Sequence, residues 1–320
     1  AEKLRRHDGK KTALHELLSI ASVALMTCGL YFVSGWQRVI SCDDVAVTLQ
    51  AVPQSAPSRS PAVRMPRPIQ ATIHTESLRH NLARARASAP DARVWAVVKA
   101  NAYGHGIGHV FEAFRGADGF ALLDLAEAER VRALGWRGPI LLLEGVFEAR
   151  DLELCSRLNL WHVVHCEEQI DMLAVHKTHQ PHRVFLKMNS GMNRLGFKPQ
   201  GFRAAWTRLN ALPQVDEISL MTHFSDADGP GGVAAQMAVF AAVTQDLPGE
   251  RSLSNSAATL RYSGDSISSG QGRLPVSADW VRPGIALYGS APDFPAHDIA
   301  HWHLHPAMTL SSRIIGTQNL

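Results

Sequence analysis

The amino-acid sequence predicts an α/β fold whose architecture is a (β/α)8 barrel. Two observations carry this prediction: short, almost continuous apolar runs recur along the chain, and stretches with helical spacing of apolar residues separate them. Apolar strands that alternate with helices indicate parallel strands covered on their outer face. Eight such repeats within about 200 residues fit a closed barrel. A doubly wound open sheet is the alternative, disfavoured because no Gly-x-Gly-x-x-Gly turn follows the first strand.

The predicted elements follow in chain order. A β-like segment at Ile69–Ile73 precedes the first predicted helix, which contains Asn81–Ala89. The predicted barrel strands are short and largely apolar, and they occupy Val94–Lys99, Gly119–Leu123, Pro139–Leu143, Leu160–His165, Arg183–Met188, Glu217–His223, Arg251–Ser254 and Trp280–Arg282, with the apolar run Ile285–Tyr288 behind the last. The remaining helical candidates have apolar residues spaced for one broad face, and they are Leu125–Leu134, Glu168–His176, Phe202–Leu212 and Val233–Leu247.

Composition and charge exclude several classes of protein. Of the 320 residues, 46% are hydrophobic and 19% are charged, which suits a globular protein with a sizeable core and not a disordered or fibrous one. The net charge of +3 resides in residues 1–64, which hold eight basic and five acidic residues. The remaining residues carry equal numbers of acidic and basic side chains. A neutral body has no electrostatic reason to bind nucleic acid.

Residues 1–64 form a different kind of sequence from the rest. A basic stretch, Lys3–Lys11, leads into an apolar run, Leu17–Trp36, and a linker-like segment follows at Val52–Pro61. A signal peptide or membrane anchor has this pattern, although the serine, threonine and glycine residues of the run make it marginal as a spanning helix. We favour an upstream extension outside the functional protein, with Met65 as the start. The functional part is then residues 65–320.

Polar side chains follow five of the predicted strands at their carboxyl ends, where a barrel holds its chemistry. Lys99 comes directly after the apolar residues Trp95–Val98. Burial disfavours an ammonium ion and lowers its pKa from about 10.4. A neutral amine can condense with an aldehyde cofactor, whereas a lysine that reaches into solvent is the structural alternative. The convergence of five polar strand ends favours the functional interpretation.

Five sequence blocks resemble those of the alanine racemase family, which uses pyridoxal 5'-phosphate (PLP). They occur in the family's order, from about Met65 to Leu320, and the detail is closest to the catabolic type of proteobacteria. The blocks are Ala96–Gly106, Asn189–Gly196, Thr222–Phe224, Ser254–Ala258 and Val281–Gly289. Five blocks in order are a highly specific signal.

The resemblance implies a cofactor site. Lys99 holds PLP through its amine and acts as the base for the D-enantiomer of the substrate. The residues that it assigns to the cofactor phosphate are Tyr103, Ser256 in the Asn255–Ala258 turn, and the backbone N–H groups of Gly284 and Ile285.

The resemblance also places Arg282 against the pyridine nitrogen of PLP. A guanidinium cannot accept a proton, so it favours an unprotonated ring nitrogen and a weaker electron sink. His223 orients Arg282. Arg194 binds near the phenolic oxygen of the cofactor and near the substrate carboxylate, which matches its fork of donors. Lys187 occupies a position that is often carbamylated in the family and supports Arg194, and Asn189 stands where some members carry aspartate.

Racemisation needs a second base on the opposite face of the substrate. In the family it is a tyrosine of a β-type domain, supplied by the other subunit of a homodimer. Residues 306–320 resemble the start of that domain, with a first strand in Ala307–Thr317, and residues 65–305 form the PLP-binding barrel. No tyrosine follows Tyr288. We therefore expect the 320-residue polypeptide to racemise inefficiently.

The predicted function is interconversion of L- and D-alanine in the cytoplasm, where D-alanine serves as a peptidoglycan precursor or in catabolism. The four cysteines show no disulfide framework or metal-ligand spacing, which is typical of a reducing compartment. Three alternatives remain: a PLP-carrier protein, a barrel-type decarboxylase, which would carry a carboxylate in place of Arg282, and a membrane-tethered binding protein built on residues 1–36. We expect a small-molecule substrate and no nucleic-acid or membrane partner.

Overall fold

A computed structural model of the chain describes residues 67–177, 180–269 and 272–317. They divide into two compact units, one of residues 72–309 and one that includes residues 67–71 and 310–317. The structure does not describe the segments for which the sequence predicts a signal peptide, an anchor, a linker or a start: Lys3–Lys11, Leu17–Trp36, Val52–Pro61 and Met65. Those predictions lie outside the described residues. Within those residues, no helix is long and apolar enough to cross a membrane.

Twelve strands and eight α-helices are labelled here in chain order. The strands are β1 (Gln70–Ile73), β2 (Arg93–Val97), β3 (Gly119–Leu122), β4 (Ile140–Leu142), β5 (Trp161–Val164), β6 (His182–Lys187), β7 (Val215–Met221), β8 (Arg251–Ser252), β9 (Ser266–Ser269), β10 (Gly272–Pro275), β11 (Trp280–Val281) and β12 (Met308–Ser311). The helices are α1 (Thr75–Ser88), α2 (Ile107–Val110), α3 (Leu125–Ala133), α4 (Asp151–Leu158), α5 (Glu167–Val175), α6 (Pro199–Asn210), α7 (Ala234–Thr244) and α8 (Ser256–Arg261).

Eight parallel strands close into a barrel in the order β11-β2-β3-β4-β5-β6-β7-β8. This confirms the predicted (β/α)8 fold and excludes the open sheet. The β-like segment before the barrel, β1, pairs instead with β12, which is the predicted first strand of a second domain. A hairpin of β9 and β10 and the helix α4 were not predicted from the sequence.

The eighth predicted strand is shorter than expected. It ends at Val281, and the apolar run Ile285–Tyr288 behind it forms a 3₁₀ helix instead of a strand. The reason lies in Pro283, which has no N–H for a strand ladder and a fixed φ. The chain therefore turns out of the barrel directly after Arg282.

Large side chains fill the barrel interior. Trp95 stacks on Trp280 with 4.2 Å between ring centroids and meets Trp161 edge to face at 5.5 Å. All three are buried. A Cβ added to Gly119 would come within 2.1 Å of the Trp95 ring, so this strand position has to be glycine. The interior is thus a packed core that closes the barrel below its carboxyl ends.

Two buried histidines form a cluster at the other end of the barrel wall. His162 Nε2 and His182 Nδ1 are 3.2 Å apart, and His182 Nε2 lies 3.3 Å from Ser156 Oγ. Burial lowers the pKa of His162 to about 3 and that of His182 to about 4. Both imidazoles are therefore neutral in the folded protein at neutral pH.

This cluster predicts acid lability. As the pH falls below about 6.5, histidines of the unfolded chain take up protons while the buried pair does not, so stability declines until the folded pKa values are reached. We expect this cluster to contribute a fall of about 2–4 kcal/mol in the free energy of unfolding between pH 7 and pH 5. His162→Gln should remove about half of that contribution in denaturant titrations, and His109→Gln, at an exposed position, is the control. An unaltered slope in His162→Gln would contradict this account.

Candidate active site

The candidate site lies at the carboxyl ends of the strands, on their inner side. Side chains alternate along a strand, so the position two residues beyond an inward-facing residue also faces inward. Phe185, Met221 and Trp280 face the barrel interior. The next positions on this periodicity, and the equivalent one after Val97, hold polar side chains: Lys99, Lys187, His223 and Arg282.

Lys99 lies two residues beyond the end of β2 and begins a turn of residues 99–103. Burial lowers the pKa of its amine from the ordinary 10.5, the charge of Arg194 lowers it further, and Glu144 acts in the opposite direction. The Lys99 Nζ atom lies 5.9 Å from the centroid of the Tyr103 ring. A lowered pKa leaves more of the amine neutral at pH 7, as a nucleophile or base requires.

Tyr103, Ser256 and Gly284 form a small cradle beside Lys99. Ser256 Oγ accepts hydrogen bonds from the N–H groups of Gly284 at 2.8 Å and of Ala286 at 3.2 Å. A Cβ on Gly284 would meet the Tyr103 hydroxyl at 2.3 Å, so only glycine fits there. Burial raises the pKa of Tyr103 to about 12, which keeps its hydroxyl protonated. The cradle thus presents hydrogen-bond donors suited to an anionic group.

Asn255 and Ile285 lie beside this cradle. Asn255 caps α8, since its Oδ1 accepts from the Ala258 N–H at 3.0 Å and its Nδ2 donates to the Phe224 carbonyl at 3.2 Å. This fixes the start of the helix whose first residue is Ser256. Ile285 is the first residue of the 3₁₀ helix that follows Gly284.

Arg282 is buried and held by a fan of acceptors. It donates to Ser252 Oγ at 2.6 Å, to the Thr222 carbonyl at 2.7 Å and to the Leu253 carbonyl at 3.2 Å. Its Nη2 is 3.4 Å from His223 Nδ1. Burial lowers the pKa of Arg282 to about 9, so the guanidinium is still charged at pH 7.

His223 is the neutral partner of this guanidinium. Burial, followed by the charge of Arg282, lowers the pKa of His223 well below its ordinary value, and the charges of Lys187, Arg194 and Lys99 act in the same direction. Because arginine can only donate, Nδ1 of the neutral ring accepts and Nε2 carries the proton. The positive charges around His223 therefore keep its imidazole in the neutral form.

Lys187 and Arg194 complete the cationic group. Lys187 is buried at the end of β6, and burial, with the charges of Arg282 and Arg194, lowers its pKa to about 8. Arg194 is exposed in the following loop. Asn189 braces that loop, because its Oδ1 accepts from the Asn193 N–H at 2.9 Å and its Nδ2 donates to Asn193 Oδ1 at 3.2 Å. An aspartate at 189 could not make the second bond.

Sequence reasoning missed several residues of the site. Glu144 is an acid among these cations. Its negative charge partly offsets the lowering of the pKa values of Lys99 and Lys187. Its position directly after a predicted strand was the available signal. Gln169 and Gln236 are buried on helices and hydrogen-bond to backbone groups after the strands: Gln169 to the carbonyls of Glu144 and Val146, and Gln236 to the carbonyl of His223. A lone helical glutamine gives no signal in the sequence.

A barrel with a desolvated lysine, a buried guanidinium and a donor-lined cradle at its carboxyl ends defines the class: a (β/α)8 enzyme. The family profile described as "Alanine racemase, N-terminal domain" matches residues 73–292. The chain belongs to the alanine racemase family.

Individual relatives agree with this assignment. A curated alanine racemase of Methylibium petroleiphilum is 77% identical over 256 residues, which are 80% of this chain and 68% of that protein. The crystal structure of the biosynthetic alanine racemase from Pseudomonas aeruginosa aligns with a TM-score of 0.69 and 42% identity, covering 76% of this chain and 66% of that one. The alanine racemase from Acinetobacter baumannii aligns with a TM-score of 0.71, 31% identity and coverages of 79% and 73%. The chain spans about two thirds of the length of the Methylibium and Pseudomonas relatives.

Proposed function

We propose that this chain takes part in the PLP-dependent interconversion of L- and D-alanine. The observation that carries the proposal is the placement of a desolvated amine, Lys99, beside the cradle of Tyr103, Ser256 and Gly284. The names of the relatives support the same reaction. The proposal includes a cytoplasmic location, and the free thiols of Cys155 and Cys166 fit a reducing compartment.

The residues present fit PLP. The cradle has no room for a Cβ at Gly284 and offers the hydroxyls of Tyr103 and Ser256 as donors for a phosphate, while the Gly284 N–H donates to Ser256 Oγ. Arg282 would meet the ring nitrogen, and Lys99 would hold the aldehyde carbon. When bound, PLP supplies the electron sink that stabilises negative charge at the substrate Cα.

The chain's own residues divide the remaining work. Lys99, with its lowered pKa, accepts and returns the Cα proton on the face that serves D-alanine. Arg194 binds the substrate carboxylate with its fork of donors. Lys187, with a pKa near 8, is nucleophilic enough to take up CO2 as a carbamate, whose negative charge would steady Arg194. Arg282 stays protonated and is oriented by His223.

The base for the opposite face is proposed to come from the partner subunit of a homodimer. None of the described residues assigned above takes that role, so we expect inefficient racemisation by the 320-residue polypeptide alone. Proton exchange at Cα needs only one base, in contrast to net conversion of one enantiomer into the other.

The test is proton exchange in D₂O. The purified polypeptide with PLP should exchange the Cα proton of D-alanine at least about 100-fold faster than that of L-alanine, consistent with the share of a barrier that one general base supplies. NMR of each enantiomer measures exchange, and chiral chromatography measures racemisation. A PLP carrier would bind the cofactor without exchange, and a decarboxylase would release CO2; either result would contradict the proposal.

The cradle yields a second expected result. Gly284→Ala should weaken PLP binding about 10-fold, because its Cβ would collide with the Tyr103 hydroxyl at 2.3 Å. Removing the hydroxyl in Tyr103→Phe takes away the atom that collides. The double variant should therefore bind PLP no more weakly than Tyr103→Phe alone, measured by spectral titration. Additive losses in the double variant would show that this contact is not the cause.

A further inference from the structure

The turn that carries Lys99 has an unusual backbone. Ala100, Asn101, Ala102 and Tyr103 all have positive φ, at 53°, 51°, 58° and 51°. With ψ near 50° at the first three, these are the values of a left-handed helix. The left-handed conformation is unfavourable by roughly 1–2 kcal/mol per residue other than glycine. Four such residues in a row require support from outside the turn.

Backbone hydrogen bonds close the turn and join it to the residues that follow: the His105 N–H donates to the Ala102 carbonyl at 2.9 Å and the Gly106 N–H to the Asn101 carbonyl at 2.9 Å. The Ala102 N–H donates to the Val98 carbonyl at 2.8 Å, and the Gly104 N–H donates to the Ala100 carbonyl at 3.1 Å. These bonds close the turn without engaging the N–H of Asn101. A normal right-handed turn of this sequence would make comparable bonds, so they do not by themselves select the left-handed form.

External support comes from helix α3. Glu127 Oε1 accepts the Asn101 N–H at 2.6 Å, and Arg130 Nη1 donates to Asn101 Oδ1 at 2.9 Å. Asn101 Oδ1 also accepts the Ile107 N–H at 3.1 Å. Glu127 and Arg130 are three residues apart and share one face of α3. Asp124 caps that helix through the Ala126 N–H at 2.7 Å, which fixes where the face begins.

The turn sets the separation of two site residues. Lys99 stands at its start and Tyr103 at its end, with the amine 5.9 Å from the Tyr103 ring centroid. The Tyr103 hydroxyl in turn abuts Gly284. A right-handed turn would swing Tyr103 to a different side of the Lys99 backbone. The handedness of the turn therefore decides whether the amine and the cradle belong to one site.

We propose that Glu127 is a positioning residue for the reaction: with Arg130, it holds the left-handed turn through Asn101 and thereby places the Lys99 amine against the Tyr103 cradle. The inference rests on the proposed function only for the identity of the cofactor. The second carboxylate oxygen of Glu127 is buried and makes no hydrogen bond among the described residues. One acceptor atom thus carries the contact, and glutamine can supply it.

The test uses two readouts. The first is the pH dependence of Lys99 acylation by acetic anhydride in cofactor-free protein, followed by mass spectrometry. The second is PLP affinity by spectral titration. Glu127→Met should raise the midpoint pH of Lys99 acylation towards the ordinary pKa of lysine. It should also weaken PLP binding about 10-fold. Glu127→Gln should leave both near wild type. The matched control is Glu129→Met, an exposed position on the same helix.

A rescue distinguishes positioning from general stability. Glycine adopts positive φ without penalty. Adding Ala100→Gly to Glu127→Met should therefore restore part of the PLP affinity and move the midpoint pH of Lys99 acylation back towards the wild-type value. The inference is overturned if Glu127→Met leaves the Lys99 midpoint unchanged, if Glu127→Gln is as damaging as Glu127→Met, or if Ala100→Gly recovers nothing. If wild type binds no PLP while the Lys99 midpoint still shifts, the proposed function fails and the positioning role stands. If Glu127→Met does not fold, Asn101→Ala, which removes the Arg130 contact, is expected to shift the midpoint in the same direction.

Discussion

Replacing Lys99 by alanine is expected to lower Cα proton exchange of D-alanine by roughly 10³–10⁴-fold. In the proposed function, the substitution removes both the amine that would hold the cofactor aldehyde and the base on that face of the substrate. The same change should leave the free energy of unfolding unchanged or slightly higher. Burial lowers the pKa of Lys99, so below its ordinary pKa the folded state bears a desolvation penalty that alanine lacks.

The matched control is Lys198→Ala, which removes an exposed lysine from the segment after β6. It should retain exchange within about 2-fold, since surface substitutions rarely disturb more than a few tenths of a kcal/mol. Exchange by NMR and unfolding by denaturant titration measure the two effects separately. If Lys99→Ala kept a tenth or more of the exchange rate, another group would be the base.

Arg282→Met is expected to be the most destabilising single change at the site. It leaves three buried acceptors without their donor, because the Thr222 and Leu253 carbonyls and Ser252 Oγ all accept hydrogen bonds from the guanidinium. Because these buried acceptors lose a charged donor, we expect the free energy of unfolding to fall by about 3–5 kcal/mol and the Tm to fall by about 10 °C. Loss of the Arg282 charge should also raise the pKa of Lys187, because that charge is second only to burial in lowering it.

Ser252→Ala provides the comparison for Arg282, because it removes one acceptor and leaves the guanidinium in place. It should lower the free energy of unfolding by about 1 kcal/mol. Calorimetry measures both variants, and the pH profile of Lys187 acylation reports the electrostatic effect. A Tm for Arg282→Met within about 2 °C of wild type would mean that the buried hydrogen-bond fan contributes little to stability.

Much of the fold could be predicted because strand periodicity links the core to the site. Phe185 and Trp280 face the barrel interior, and the residues two positions later are Lys187 and Arg282. This two-residue spacing between an apolar and a cationic side chain can be read from the sequence. The eighth strand was predicted too long because apolar residues continue at Ile285–Tyr288, while Pro283 removes the ladder donor. Here a single backbone constraint prevails over the hydrophobic pattern.

The left-handed turn after Lys99 could not be predicted from composition. Ala-Asn-Ala-Tyr has no glycine to indicate positive φ, and alanine favours right-handed helix. Its support comes from Glu127 on a helix that is distant in sequence. The same limit applies to Gln169 and Gln236, whose positions become informative only once the helices are packed against the strand ends.

The central claim is that Lys99, and not the second desolvated lysine of the site, Lys187, condenses with PLP. Sodium borohydride reduction of the PLP-loaded protein, followed by proteolysis and mass spectrometry, tests it directly. We expect the phosphopyridoxyl group on the peptide that contains Lys99. A label on the peptide that contains Lys187, or spread evenly over exposed lysines, would contradict the account.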